Sequence, residues 1–402
     1  MPLISLQFIA LSVVAILCSA VLPRRIWAGV FLLLNLVFVF SHLTRIGMAS
    51  TLAFCAVGYG FIRLALQGKR WAVPAGAVVL VTAFLFMRNY AFLSFVVPRQ
   101  LLTNVLATVG LSFLLFRVLH VLIDAGAGAI ESCPPLLYAN YTLNFTTFLI
   151  GPLQRFEDFS RQWNEAGENR QLVFSEQLVL VNRILRGMVK KFVLAEYLSA
   201  YIATVPTLNF HSVPISAILI KGYVYYLYLY CDFSGYCDIV IGVGALMGLR
   251  PPENFNFPFL ARNMAEFWLR VHRSLTEWLT DYVFTPAYAA SLRRWPSREL
   301  AFPILLCAVM ITMIVSGLWH GTTASFLIFG VIHGCFMIAY RLYERGLKIY
   351  FPAATVAALT KNPLIIGISI FLTFNAASLG YLCFTLSGRQ LAQVGAKLLH
   401  VL

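Results

Sequence analysis

Long apolar stretches separated by short polar breaks dominate this chain. Residues 4–22, 26–43, 47–66, 73–87 and 101–123 each read as a membrane span, with Pro23, Arg24, Arg25, Arg45, Lys69, Arg70, Arg88 and Arg99 in the breaks. Residues 90–97 extend the fourth span or form a short interfacial piece. Residues 132–152 are also apolar, but Pro134, Pro135, Asn140, Asn144 and three threonines interrupt them. That composition fits a broken or re-entrant segment better than a plain span, because irregular backbone at membrane depth must be covered by protein or line a cavity. Asn140-Tyr-Thr has the pattern of a glycosylation sequon, but its setting predicts a helix interior.

The charged residues from 154 to 191 change the rhythm. Within 177–193, Leu178, Val181, Leu185, Met188 and Phe192 recur at spacings of three and four, while Arg183, Arg186 and Lys190 take another face. This predicts a basic amphipathic helix on an anionic cytoplasmic surface, leading into a span near 192–209; an ordinary basic connecting helix is the plainer alternative. Spans near 214–230 and 235–249 bracket Asp232, and Gly235, Gly242, Gly244 and Gly248 give the second a surface for close packing. Pro251-Pro252 stops it, residues 254–260 run extended, and a charge-rich helical element follows at 264–281. Further spans fall at about 300–318, 322–343 and 362–386. The pattern predicts an all-α polytopic integral membrane protein with about eleven spans plus broken segments.

Composition agrees: 60% of residues are apolar and 11% charged, against roughly 25% charged in soluble proteins. The net charge of +14 reads as cytoplasmic loops rich in Lys and Arg, since no separate basic domain exists to grip nucleic acid. Placing the heavier loops at Arg24–Arg25, Lys69–Arg70 and Arg99 inside puts the N-terminus outside. The first stretch lacks a basic leader and is followed by Pro-Arg-Arg, which predicts a retained span rather than a cleaved signal. The eight cysteines have neither redox nor zinc spacing. Cys18, Cys55, Cys307, Cys335 and Cys383 are expected as small buried hydrophobes, and Cys231 and Cys237 on opposite rims of a helix.

Candidate chemistry concentrates in residues 230–281, with Asp232, Asp238, Glu253, Glu266, Arg270, His272, Arg273, Glu277 and Asp281 in a chain otherwise poor in charge. Phe233, Tyr236, Phe255, Phe257, Phe259, Phe267 and Trp268 argue against a merely solvated loop. On one continuous helix, Glu266, Arg270, Arg273, Glu277 and Asp281 share a face, with Glu266–Arg270 and Arg273–Glu277 at i,i+4. His272 then falls on the opposite side with Trp268, Leu275, Thr276 and Leu279, where a proton-shuttling and a structural role are both open. His320 lies between two apolar segments, flanked by Gly317, Trp319 and Gly321. Burial favours the neutral imidazole, which can act as a base, and the glycines would let a substrate approach closely. His333-Gly334 is an equal candidate on residues alone, and no spacing joins His272, His320 and His333 into a metal site. At this level enzyme, transporter and channel-like scaffold all stand.

The stretch DFSGYCDIVIGVGALMGLRPPENFNFPFLARNMAEFWLRVHRSLTEWLTDYVF at 232–284 narrows the choice, because it resembles the membrane-bound O-acyltransferase family. SGLWHG at 316–321, IFGVIHG at 328–334, GLSFLLFRVLHVLID at 110–124 and GPLQRFEDF at 151–159 extend the resemblance. It departs at Leu269, Val271, Thr280 and the segment TPAYAA at 285–290. The resemblance implies a single membrane domain over 1–402, with N-terminal spans (1–125), a broken segment and cytoplasmic amphipathic region (132–191), a catalytic core (192–343) and a C-terminal span region (344–402). It further implies spans ringing a thin acyl-transfer centre, with a cytoplasmic funnel and an extracytoplasmic depression. His320 becomes the expected catalytic residue and His272 the second functional one. No tightly bound cofactor is expected; the donor would be an acyl thioester, acetyl-CoA or an acyl-carrier protein. The branch that O-acetylates exported, alginate-type polysaccharides looks nearest. It brings an extracytoplasmic SGNH-type partner, a polysaccharide acceptor and a place in the bacterial inner membrane. D-alanyl transfer towards teichoic acid and a non-enzymatic export scaffold or transporter are the alternatives.

Overall fold

The computed structural model describes residues 4–90, 93, 110–165, 173–204 and 213–399. Residues 91–92 and 94–97 of the 90–97 continuation, the start of the 101–123 span and the 205–209 end of the 192–209 span lie outside them. All regular structure among the described residues is helical. Six stretches there are long and apolar enough to cross a membrane: Arg24–His42, Arg45–Leu66, Ile215–Met247, Arg298–His320, Ala324–Tyr350 and Pro363–Phe384. Leu6–Val21 and Ala72–Met87 are shorter apolar helices. The protein is thus a multi-pass membrane protein.

The chain forms two units, one of residues 1–188 with 235–253, the other of 189–234 with 254–402. The first contains α1 (Leu6–Val21), α2 (Arg24–His42), α3 (Arg45–Leu66), α4 (Ala72–Met87), α5 (Leu111–Ala127), α6 (Pro135–Thr142), α7 (Phe156–Glu165) and α8 (Phe174–Val189, to residue 188). Ser5 and Thr44 start α1 and α3 by accepting from Phe8 N and Gly47 N at 3.2 and 3.1 Å.

The broken segment takes its irregular course because its polar groups are paired within the unit. Pro135 occupies the first turn of α6, where a missing N–H costs nothing, and the helix ends after two turns. Phe145 and Phe148 beyond it are fully buried. The buried Arg117 guanidinium donates to the carbonyls of Tyr141 (3.1 Å), Thr142 (3.0 Å) and Thr147 (2.6 Å), covering acceptors left open when the helix stops. Asn140 lies in the helix interior, donating to Ala28 O at 3.0 Å and accepting from the Asn35 amide nitrogen at 3.2 Å.

Helix α8 has the expected apolar stripe, and it is Arg183 on the basic face that differs from expectation. Its Leu178, Val181 and Leu185 stripe is exposed, and the unit packs instead on Gly187, with Ile184 and Leu180 lying against Gly242. Lipid, not protein, is therefore the medium that suits the stripe. Arg183 is not available to headgroups, since it donates to Asp238 (3.0 Å) and Glu253 (2.5 Å).

The second unit contains α9 (Ala195–Thr204), the first part of α10 (Ile215–Met247), α11 (Met264–Arg270), α12 (Arg273–Leu279), α13 (Thr285–Arg294), α14 (Arg298–His320), α15 (Ala324–Tyr350), α16 (Ala353–Lys361), α17 (Pro363–Tyr381) and α18 (Gly388–Leu399). Two spans were expected where α10 runs unbroken for 33 residues. Asp232 lies inside it, and its charge is held by an ion pair with Lys191, whose side chain is 9% exposed. The polar residue that looked like an interruption is a half-buried counter-charge to the buried Lys191. Cys55 and Cys383 are buried as expected, Cys18 is partly so, and Cys307 and Cys335 point outward from α14 and α15. An apolar outer face suits lipid, so an apolar run does not specify an inward side chain there.

Candidate active site

The 264–281 segment is two short helices with a sharp break, not one helix. Asn263 caps α11 by accepting from Glu266 N at 2.8 Å, while the Glu266 carboxylate accepts from Arg262 N at 2.9 Å and from Arg270 at 2.7 Å. Burial pushes the Glu266 carboxyl up, but these donors outweigh it and hold the group below the usual carboxylate range. Arg273 and Glu277 are 3.9 Å apart, with Glu277 56% exposed. Both expected i,i+4 pairs form, each within its own helix.

The break falls at His272, whose backbone is left-handed (φ 44°, ψ 49°). A non-glycine residue there carries a cost of about 1–2 kcal/mol. The preceding connection braces it: Asn256 N donates to Arg270 O (2.8 Å), Arg273 N to Asn254 O (3.0 Å), and Ser274 Oγ to Asn254 Oδ1 (2.8 Å). The His272 carbonyl starts α12 by accepting from Leu275 N and Thr276 N, both at 3.0 Å. His272 is buried, as are Trp268, Leu275 and Leu279, while Thr276 is half-buried and the single helix that would have grouped them is interrupted at His272. Its ring meets Phe233 at 4.8 Å and Trp319 at 5.8 Å, both edge-on.

His320 is the last residue of α14 and is partly accessible. Its ring lies 4.9 Å from Trp319, 5.5 Å from Phe329 and 5.1 Å from Phe384. The glycines around it do not leave room for a substrate. Gly317 lies against the Phe326 carbonyl and the backbone of Gly330, and Gly321 lies under the Phe326 ring. They are there so that α14 and α15 can cross at backbone contact, and that crossing positions the end of α14.

His333 completes the group. It is fully buried, with Phe329 at 4.3 Å, Trp268 at 5.4 Å, and Tyr381 and Phe267 a little beyond 6 Å. Three histidines far apart in sequence are therefore threaded through one aromatic shell, with Trp319 touching His272 and His320, and Phe329 touching His320 and His333. Phe384 and Tyr381 join from the C-terminal region, which no local pattern linked to the site. Asp232, Asp238 and Glu253 are taken up by Lys191 and Arg183, while Asp281 is exposed. Among the described residues no three His, Cys, Asp or Glu side chains converge as metal ligands.

A multi-pass helical membrane protein with a histidine and aromatic centre at a helix end is the class these features define. The chain belongs to the membrane-bound O-acyltransferase family, whose profile matches residues 35–383, and is an O-acyltransferase. The scaffold alternative falls with that assignment. It is 28% identical over 333 residues to the teichoic acid D-alanyltransferase of Bacillus subtilis (strain 168), covering 81% of each chain. It is 30% identical over 288 residues to the probable alginate O-acetylase AlgI of Pseudomonas syringae pv. tomato, covering 71% of this chain but 53% of that protein. The peptidoglycan O-acetyltransferase of Helicobacter pylori is 28% identical over 212 residues, with 52% of this chain and 38% of that protein covered.

Proposed function

We propose that the protein transfers an acetyl group from a cytoplasmic thioester to a hydroxyl for an exported polysaccharide, with His320 as general base. The carrying observation is that His320 is partly accessible at the end of α14, whereas His272 and His333 are buried. A neutral imidazole can accept the hydroxyl proton through its free nitrogen. The hydroxyl oxygen bonds to the thioester carbon, the carbonyl electrons move to oxygen, and collapse of the tetrahedral species expels the thiolate, which takes up the proton. His272, held in its strained turn, orients Trp319 and through it the His320 ring. Acetyl-CoA or an acyl-carrier protein is the donor, and no tightly bound cofactor is required. An SGNH-type partner on the outer side of the bacterial inner membrane completes transfer to the sugar.

The aromatic shell of Trp319, Phe329 and Phe384 around His320 favours acetyl, since none of these side chains offers a carboxylate to the ammonium of a D-alanyl group. The similarity to a D-alanyltransferase over 81% of both chains favours the second reading, D-alanyl transfer from a carrier protein towards teichoic acid. The test uses nanodisc-purified protein with labelled acetyl-CoA, acetyl-carrier protein and D-alanyl-carrier protein in parallel. His320→Ala and His320→Gln should lose roughly 10²–10⁴ in turnover at unchanged monodispersity. Near-wild-type transfer by His320→Ala would sink the base assignment, and restoration by Gln alone would replace proton transfer with orientation. Charging with D-alanine but not acetate would select the second reading.

A further inference from the structure

The His333 imidazole and the Trp268 indole are buried polar groups that the mechanism above does not use. His333 is 0% exposed and Trp268 5%. Neither ring nitrogen of His333, nor Nε1 of Trp268, has a hydrogen-bond partner among the described residues. The two rings nevertheless meet edge-on, with centroids 5.4 Å apart. Leaving a buried donor or acceptor unmade costs about 1–3 kcal/mol, so two such residues side by side call for a guest. Packing, not hydrogen bonding, seats the imidazole: Nε2 lies against Gly380, where any Cβ would collide with it.

We propose that His333 and Trp268 bind the carbonyl oxygen of the acyl group and stabilise the negative charge it acquires during transfer. This rests on His320 being the base. A neutral imidazole supplies one N–H and the indole a second, in an apolar shell where such donors act strongly. The span fits. The Phe329 ring is 5.5 Å from His320 and 4.3 Å from His333, so the two imidazoles are no more than about 10 Å apart. A base, an attacking oxygen, the carbonyl carbon, its oxygen and a donor in sequence extend roughly 8 Å.

Trp268→Phe keeps an aromatic ring and removes only the indole part with its N–H. His333→Leu removes the imidazole, and His333→Gln retains a donor. With whichever thioester the wild type turns over, Trp268→Phe and His333→Leu should each lose about 10²–10³ in kcat with little change in KM, as for removal of an oxyanion donor. His333→Gln should recover a substantial part. A second measurement does not need turnover: the infrared carbonyl stretch of a bound ¹³C-labelled ketone analogue of that donor. It should lie at lower frequency in wild type and His320→Ala than in Trp268→Phe. Wild-type kcat in Trp268→Phe, or an identical carbonyl frequency in all three proteins, overturns the proposal. An active His320→Ala beside a slow Trp268→Phe would instead discard the base while keeping the oxyanion pair.

Discussion

Gly317→Ala tests whether backbone contact between α14 and α15 sets the position of His320. A Cβ at Gly317 would overlap the Phe326 carbonyl and stand 3.0 Å from Gly330 N and 3.1 Å from Gly330 Cα. Every one of these neighbours is main chain, so no side-chain rotation relieves the overlap. Restoring ordinary contact requires the helices to separate by about 1 Å at the crossing, and overpacking of this kind typically costs ~1–3 kcal/mol. His320 lies one turn further along α14, and with His320 as the proposed base, misplacement by about 1 Å can cost ~10²-fold in rate. The comparison variant is Gly346→Ala on α15, where a new Cβ meets nothing within 4 Å. That change should be neutral or stabilise the helix by up to ~1 kcal/mol. Thermal unfolding in nanodiscs and turnover would be measured for both. Gly317→Ala should melt several degrees lower and retain about 1% of turnover, with Gly346→Ala close to wild type. Equal melting and activity in the two variants would refute the close-contact account.

Two further outcomes follow from charges near the site. Asp232→Asn strands Lys191, whose side chain is 9% exposed against 30% for Asp232. A partly wet pair should cost about 1–3 kcal/mol when broken, below the fully buried range. Lys191→Met combined with Asp232→Leu should regain most of that in thermal melts, and an undiminished Asp232→Asn would remove the pair's structural role. Glu266 has its folded pKa below the ordinary 4.5. Its stabilisation is therefore present above the unfolded value and lost as pH falls through the folded one. The melting gap between wild type and Glu266→Gln should accordingly be open at neutral pH and close under acid; a gap that stays constant would contradict the capping role.

Much of the site was legible because local chemistry marked it. Scarce charge in an apolar chain drew attention to 230–281, the i,i+4 spacing gave Glu266–Arg270 and Arg273–Glu277, and His272 and His320 stood out as polar groups in apolar surroundings. The counter-charge role of Asp232 was not legible: Lys191 is 41 residues away, and only folding brings the two together. Nor was the break at His272. Helical spacing continues smoothly from 264 to 281, and it is the pairing of residues 254–256 with 270–274 that turns the chain there.

The sequence by itself determined the class. Long apolar runs must be helical in a membrane, because a lipid-exposed backbone has to satisfy its own hydrogen bonds. It also carried the family, through residues that lie in short contiguous stretches. Only the tertiary structure decided which side of each apolar helix faces protein: lipid accepts the same residues as the interior does, so Leu178 and Cys335 carry no inward signal. Only it joined Phe384 and His333 to His320, since ring contacts between separate helices leave no period in the chain. It also reversed the meaning of Gly317 and Gly321. A missing Cβ creates space, but whether substrate or another helix fills that space is decided by what packs against it, and here it is α15 and the Phe326 ring.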